Sequence, residues 1–215
     1  MKSKIILTAL TAVLFFSCKK EQQSNVANDV NTSKTIATQS INSALIREVT
    51  SLPTYSERKS AYVKMLSDYE KYTVWNTRFQ DAISSHAFNA EQLGLIKEVV
   101  AKVTPVFFTD TLVRNTNGFF FADWKIRAKE HFSLAQLKYL LSDIIIFNKS
   151  DFVKLGSEDI TIQQAVVKTM NVPASCGCSM QSDWCGTAYG CYGRSCSHDT
   201  GCGTLLQYDC NGLCY

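Results

Sequence analysis

The residues of this chain best suited to chemistry are its cysteines. There are nine: Cys18 stands alone, and Cys176, Cys178, Cys185, Cys191, Cys196, Cys202, Cys210 and Cys214 are crowded into the last forty residues with no thiol between the two groups. Clustered thiols serve either zinc or disulfides. A zinc site needs Cys-x2–4-Cys pairs, two per ion, because a short turn must present two thiolates tetrahedrally. The run has one Cys-x-Cys, one Cys-x3-Cys, one Cys-x4-Cys and otherwise gaps of five to seven residues, so no pair of knuckles is visible. Disulfides, and no metal, are therefore expected. Eight thiols allow four bridges, but spacing does not choose the pairing.

A tail spanning 174–215 is too short to offset its chain entropy by burial alone. Several bridges at about 2–4 kcal/mol each can make up the difference. Trp184, Tyr189, Tyr192, Leu205, Leu206 and Tyr208 give more apolar area than so small a module can hide, and predict a contact surface. Arg194 stands against Asp183, Asp199 and Asp209, a net charge of −2. The tail thus lacks the attraction to anionic lipid that cationic lytic peptides use. His198 beside Asp199 is the one pair with a catalytic flavour, and no nucleophile is marked. The overall charge of +3 and the absence of a dense Lys/Arg cluster argue against nucleic acid as a partner.

Cys18 belongs to a different chemistry. Lys2 and Lys4 precede an uncharged, mostly apolar run of twelve residues, Ile5–Phe16, closed by Ser17-Cys18. Twelve residues are too short to cross a bilayer but suit a signal-peptide core. Phe15-Phe16-Ser17-Cys18 fits a lipobox at its apolar, small and cysteine positions, although Phe16 is larger than usual there. The expectation is residues 1–17 as a lipoprotein signal, Cys18 acylated, and 18–40, rich in Asn, Gln, Ser and Thr, as a polar tether. Export also places the tail thiols in an oxidising compartment.

The elements that must position the tail lie in 41–150. Ile41, Leu45, Val49 and Leu52 fall at helical spacing and stop at Pro53. Ser56 is expected to cap a helix burying Ala61, Tyr62 and Met65. Ser67-x-x-Glu70, Asn89-x-x-Gln92 and Ser133-x-x-Gln136 each have a capping residue three positions before Glu or Gln. Behind them run Tyr72/Trp75/Phe79/Ile83, Leu93/Ile96/Val100/Val103 and Leu137/Leu140/Leu141/Ile144, each one helical face. A further helix is expected over Asp123–Phe132, and Thr104–Gly118, which holds Pro105, reads as an irregular connection. His86 and His131 lack metal-face partners, and no phosphate loop or nucleophile elbow is present. Residues 151–173, ending in Asn171-Val172-Pro173, read as a linker or processing region. The fold class is an all-α helical domain of roughly five helices followed by a small disulfide-rich C-terminal module, with no catalytic residue and no cofactor expected.

Within the tail, Ala174-Ser175-Cys176-Gly177-Cys178-Ser179, then Ser182-Asp183-Trp184-Cys185, Gly201-Cys202-Gly203-Thr204, Cys210-Asn211-Gly212 and the terminal Tyr215 resemble the fulvocin C-related bacteriocins. Seven cysteines follow that pattern, with one residue fewer between Cys191 and Cys196. The end departs: Tyr208 takes the place of a cysteine and the eighth thiol moves to Cys214, so one bridge is free to connect differently. The body resembles larger members of the family more weakly, through Leu52-Pro53, Glu57-Arg58-Lys59, Ala61-Tyr62, Trp75, Gln92 and Ile96. The resemblance implies a bacteriocin-like precursor, not an enzyme. Together with the signal-like segment, Cys18 and the break at Pro173, the expectation is an exported, lipid-anchored precursor, cut near Pro173-Ala174 to release a module that acts on a target-cell receptor or envelope component. The alternative is a non-toxic cell-surface protein that binds a partner through the cysteine-rich module.

Overall fold

The computed structural model describes residues 40–157, 175–182, 184–185 and 190–214. The segment expected to be a signal peptide, most of the expected tether, Cys18, Pro173 and Ala174 at the expected cleavage point, and Tyr189 lie outside the described residues. The described residues belong to one unit, Thr38–Tyr215, in which a helical domain is followed by a small disulfide-rich module.

The helices begin where side chains can satisfy their first amides. Asn42 accepts from Leu45 N–H to start α1 (Ser43–Ser51), which ends before Pro53. α2 (Tyr55–Met65) is started by Thr54 rather than Ser56: Thr54 Oγ1 accepts from Glu57 N–H while Glu57 accepts from Thr54 N–H. Tyr62 is fully buried as expected, whereas Met65, in the last turn, is exposed. The boxes at Ser67, Asn89 and Ser133 start α3 (Asp68–Ser84), α4 (Ala90–Lys102) and α7 (Leu134–Leu141) as read from the sequence.

The stretch read as irregular is helical. Pro105 sits in the first turn of α5 (Pro105–Thr109), where its missing N–H is not needed. Asp110 then caps α6 (Thr111–Ala128), accepting from the amides of Leu112 and Val113. The helix expected from Asp123 onward is thus the second half of a longer one. α8 (Lys149–Ser157) completes the domain and buries Phe152 between α7 and the Phe88 and Phe132 rings.

One core runs through these helices: Trp75, Phe79, Ile96, Phe107, Phe121, Trp124, Leu137, Leu140 and Leu141 are all buried. Two buried cations brace its rim. Arg58 pairs bidentately with Asp143 at 2.9–3.1 Å and donates to the carbonyls of Leu52 and Pro53, joining the α1–α2 turn to the end of α7. Arg78 stacks 4.6 Å from the Tyr139 ring and donates to the carbonyls of Tyr139 and Ile145, so its charge is met by backbone dipoles.

The module has little regular structure. β1 (Cys191–Tyr192) pairs antiparallel with β4 (Leu213–Cys214), and β2 (Asp199–Cys202) with β3 (Tyr208–Cys210), with a bulge at Gly201. A 3-10 turn, Thr204–Leu206, joins β2 to β3. Ladders of two to four residues do not sustain a fold in water by themselves.

Candidate functional site

The bridges supply what the ladders lack. Cys176 pairs with Cys196, Cys178 with Cys191, Cys185 with Cys214 and Cys202 with Cys210. Cys185 lies inside the loops closed by the first two bridges and Cys214 lies outside both, so the 185–214 bridge interlocks with them. The sulfurs of Cys178, Cys185 and Cys214 lie within 4.8 Å of one another. All three are bridged, so this cluster is the meeting point of two disulfides, not a set of thiolate ligands.

The residues expected to form a contact surface find most of their contacts in this same chain. Trp184, Leu205, Leu206 and Tyr208 are buried, and the first three belong to the same core cluster as Trp75 and Trp124. Tyr192 is the exception, about half exposed. A free module of this size has nowhere to put such side chains; the helical domain provides the place. Leu205 and Leu206 reach it through a strained backbone, with φ of 59° and 56°. Left-handed leucine costs roughly 1–2 kcal/mol per residue, and burial of each side chain at about 1.5–3 kcal/mol offsets it.

Polar groups fix the seat as firmly as the leucines do. Inside the core, the Tyr62 hydroxyl accepts from Trp75 Nε1 at 3.0 Å and from Gln207 Nε2 at 2.8 Å, and donates to the Leu205 carbonyl at 3.3 Å. Burial pushes the Tyr62 phenol well above its ordinary pKa, against the opposing effect of the Trp75 and Gln207 hydrogen bonds, so the group stays neutral and can donate. At the rim, Arg114 of α6 donates to the Gln207 carbonyl at 3.0 Å and Tyr208 donates back to the Arg114 carbonyl at 3.4 Å.

Trp184 is held from the module side. Its Nε1 donates to Thr204 Oγ1 at 2.9 Å, the Thr204 amide donates to Ser182 Oγ, and Lys125 lies 5.0 Å over the indole. Lys59 of α2 lies 3.2 Å from Cys210 Sγ and 3.5 Å from Cys202 Sγ. Desolvation there lowers its pKa, partly opposed by Asp199. Beside it Gly201, at φ +84°, lets the β2 backbone approach α2: a Cβ would fall 2.6 Å from Val63 Cγ2.

Gly203, at φ +70°, is hemmed in from more sides. A Cβ there would lie 2.7 Å from Ser182 Cβ, 2.9 Å from Tyr208 Cδ2 and 3.0 Å from the Ser182 carbonyl. We expect Gly203→Ala to destabilise the protein by about 1–3 kcal/mol through overpacking and strain. Thermal unfolding of the oxidised protein checks this, and an unchanged midpoint would contradict the close packing of Gly203 against Ser182 and Tyr208.

Two grooves follow the seam between domain and module. One, of about 350 Å³, is lined by Gly118, Ala122, Ile126, Lys129, Met180 and Trp184. The other, of about 480 Å³, is lined by Tyr55, Lys138, Asp143, Cys178, Trp184 and Cys214 among others. The sequence marks Tyr62 as a buried helix residue but not as a hydrogen-bond partner of the tail, and the parts that Gln207, Arg114 and Lys59 play in securing the module become recognisable only once the chain is folded.

No protein-family description, curated protein or solved structure matches this chain.

Proposed function

We propose that the chain is an exported, lipid-anchored, bacteriocin-like precursor whose helical domain covers the apolar face of an antibacterial disulfide-rich module. The observation behind this reading is the burial of Trp184, Leu205, Leu206 and Tyr208 against the domain. Separated from it, the module would present these side chains together, stapled in place by bridges that do not depend on the domain. An acidic module has no general attraction to anionic lipid, so its apolar face is the part suited to engage a receptor or envelope component of a target cell. The signal-like segment and Cys18 would deliver the precursor to an oxidising compartment and hold it at a membrane. Cleavage at Pro173-Ala174 would separate the parts, since every tail cysteine lies downstream of it.

A second reading, a non-toxic surface protein that binds a partner, is favoured by the Tyr62–Gln207–Leu205 and Arg114–Tyr208 hydrogen bonds, which make the module a fixed part of the whole. In that case the exposed Tyr192 and the seam grooves are the surfaces left for a partner.

Growth inhibition by the oxidised 174–215 peptide, compared with the intact protein, tests the choice. The precursor reading expects inhibition by the peptide, little by the intact chain, and none after reduction. An inert peptide beside a partner-binding intact protein would establish the second reading instead. The mass of the protein recovered from the cell envelope reports acylation at Cys18 and cleavage independently.

A further inference from the structure

α6 carries a feature that neither the core nor the module uses. Leu112, Phe119 and Ile126 are 75%, 83% and 69% exposed. Their seven-residue spacing sets them on one line of the helix with only slight drift, about 10 Å apart. Met180 of the module, also half exposed, lines the groove next to Ile126.

These three side chains offer roughly 400 Å², about half of what each partner contributes to a stable protein interface. The positions that would complete a coiled-coil seam, Asn115, Thr116, Ala122 and Asp123, are polar or small, so a second copy finds no knobs-into-holes surface. Lys125 and Lys129 line the groove beside Ile126, and Lys102 lies 5.3 Å over the ring of the adjacent Phe120. Of the nearby acids, Glu98 and Asp123 are both paired with Arg127, and Glu130 opposes the lysines at the C-terminal end. Separated apolar side chains along one helix, with cations beside them, match a bilayer interface.

A lipid on Cys18, as in the proposed function, would bring this face to a membrane. The 22 residues from Lys19 to Ser40 span at most about 75 Å even when fully extended. An acylated Cys18 would therefore keep α6 near the bilayer at high effective concentration, where even a weak contact is occupied.

We infer that the Leu112–Phe119–Ile126 face of α6 lies on the surface of an anionic bilayer, as a second contact beside the lipid on Cys18. The test uses the unlipidated chain Lys19–Tyr215, which contains the whole Thr38–Tyr215 unit, with phosphatidylglycerol/phosphatidylethanolamine vesicles. It should co-sediment with them, less so at high salt and less with phosphatidylcholine. The exposed triple variant Leu112→Ser/Phe119→Ser/Ile126→Ser should keep its thermal midpoint and bind about ten-fold or more weakly. Lys129→Glu should weaken binding by a smaller factor. Absence of vesicle binding, or equal binding by the triple variant, overturns the inference. So does a wild-type dimer that the triple variant abolishes, because a second copy would then be the occupant. The mass of the envelope-derived protein reads lipidation separately, so a missing anchor and a missing bilayer face give different results.

Discussion

Leu205→Ala is expected to destabilise the oxidised protein by about 3–5 kcal/mol, the upper range for emptying a buried leucine site. The side chain is fully buried where the module meets the domain, and the alanine would keep the left-handed backbone while losing the contact that offsets its strain. The same turn supplies the carbonyl that Tyr62 donates to, so loosening it also weakens the network through Gln207. Urea unfolding should show an earlier midpoint, and mild proteolysis should now separate a stapled fragment from a helical one. An unchanged midpoint would mean that the leucines are passengers and that the hydrogen bonds alone hold the seat.

Loss of the interlocking bridge is expected to be comparably severe. Cys185 and Cys214 are 29 residues apart in sequence, and the chain-entropy relation gives about 3–4 kcal/mol for a loop of that length. The Cys202–Cys210 bridge, with a separation of 8, should be worth about 2–3 kcal/mol. The 185–214 bridge also anchors β4 and stands next to Trp184, so its removal should loosen the indole from Thr204. The informative variant is the double Cys185→Ala/Cys214→Ala. A single substitution would leave a thiol within reach of the neighbouring Cys178–Cys191 bridge, and thiol–disulfide exchange would confuse the result. Mass mapping should find the other three bridges intact in the double variant, with a lower thermal midpoint than in a Cys202→Ala/Cys210→Ala variant. The reverse order would contradict the interlocked arrangement.

The sequence was most legible where structure is decided by neighbours along the chain. The boxes at Ser67, Asn89 and Ser133 form because a side chain three residues from its target amide needs no tertiary help. Thr54 and Ser56 are both cap-forming residues two positions apart; Thr54 serves because Glu57, three residues on, closes the reciprocal bond to its amide. Pro105 makes Thr104–Gly118 look like an irregular connection, yet a proline fits the first turn of a helix, and Asp110 beyond it is a start signal for α6. The module's seat was illegible for a different reason. Tyr62 and Gln207 are 145 residues apart, and nothing local reveals that a helix tyrosine and a tail glutamine meet. The four pairings were equally hidden, since spacing constrains the number of bridges and not their partners. Composition did show that the tail holds more apolar surface than it can bury alone. It did not show that most of that surface turns inward, onto the chain's own helices.

All four bridges lie within the module, and none ties it to the helical domain. Scission of the chain between Ser157 and Ser175 and departure of the module are therefore two separate events. A nicked molecule would remain a two-piece complex held by the leucines, Trp184 and the Tyr62 hydrogen bonds, and its lifetime would be set by an off-rate. Such rates span milliseconds to days in protein complexes. Once nicked, the contact changes from unimolecular to bimolecular and becomes sensitive to dilution. In a crowded envelope the pieces would rebind; at an open surface, where one piece diffuses away, they would not. Under the precursor reading the seat would behave as a timer, started by a protease and running at a speed written into the packing of Leu205 and Leu206.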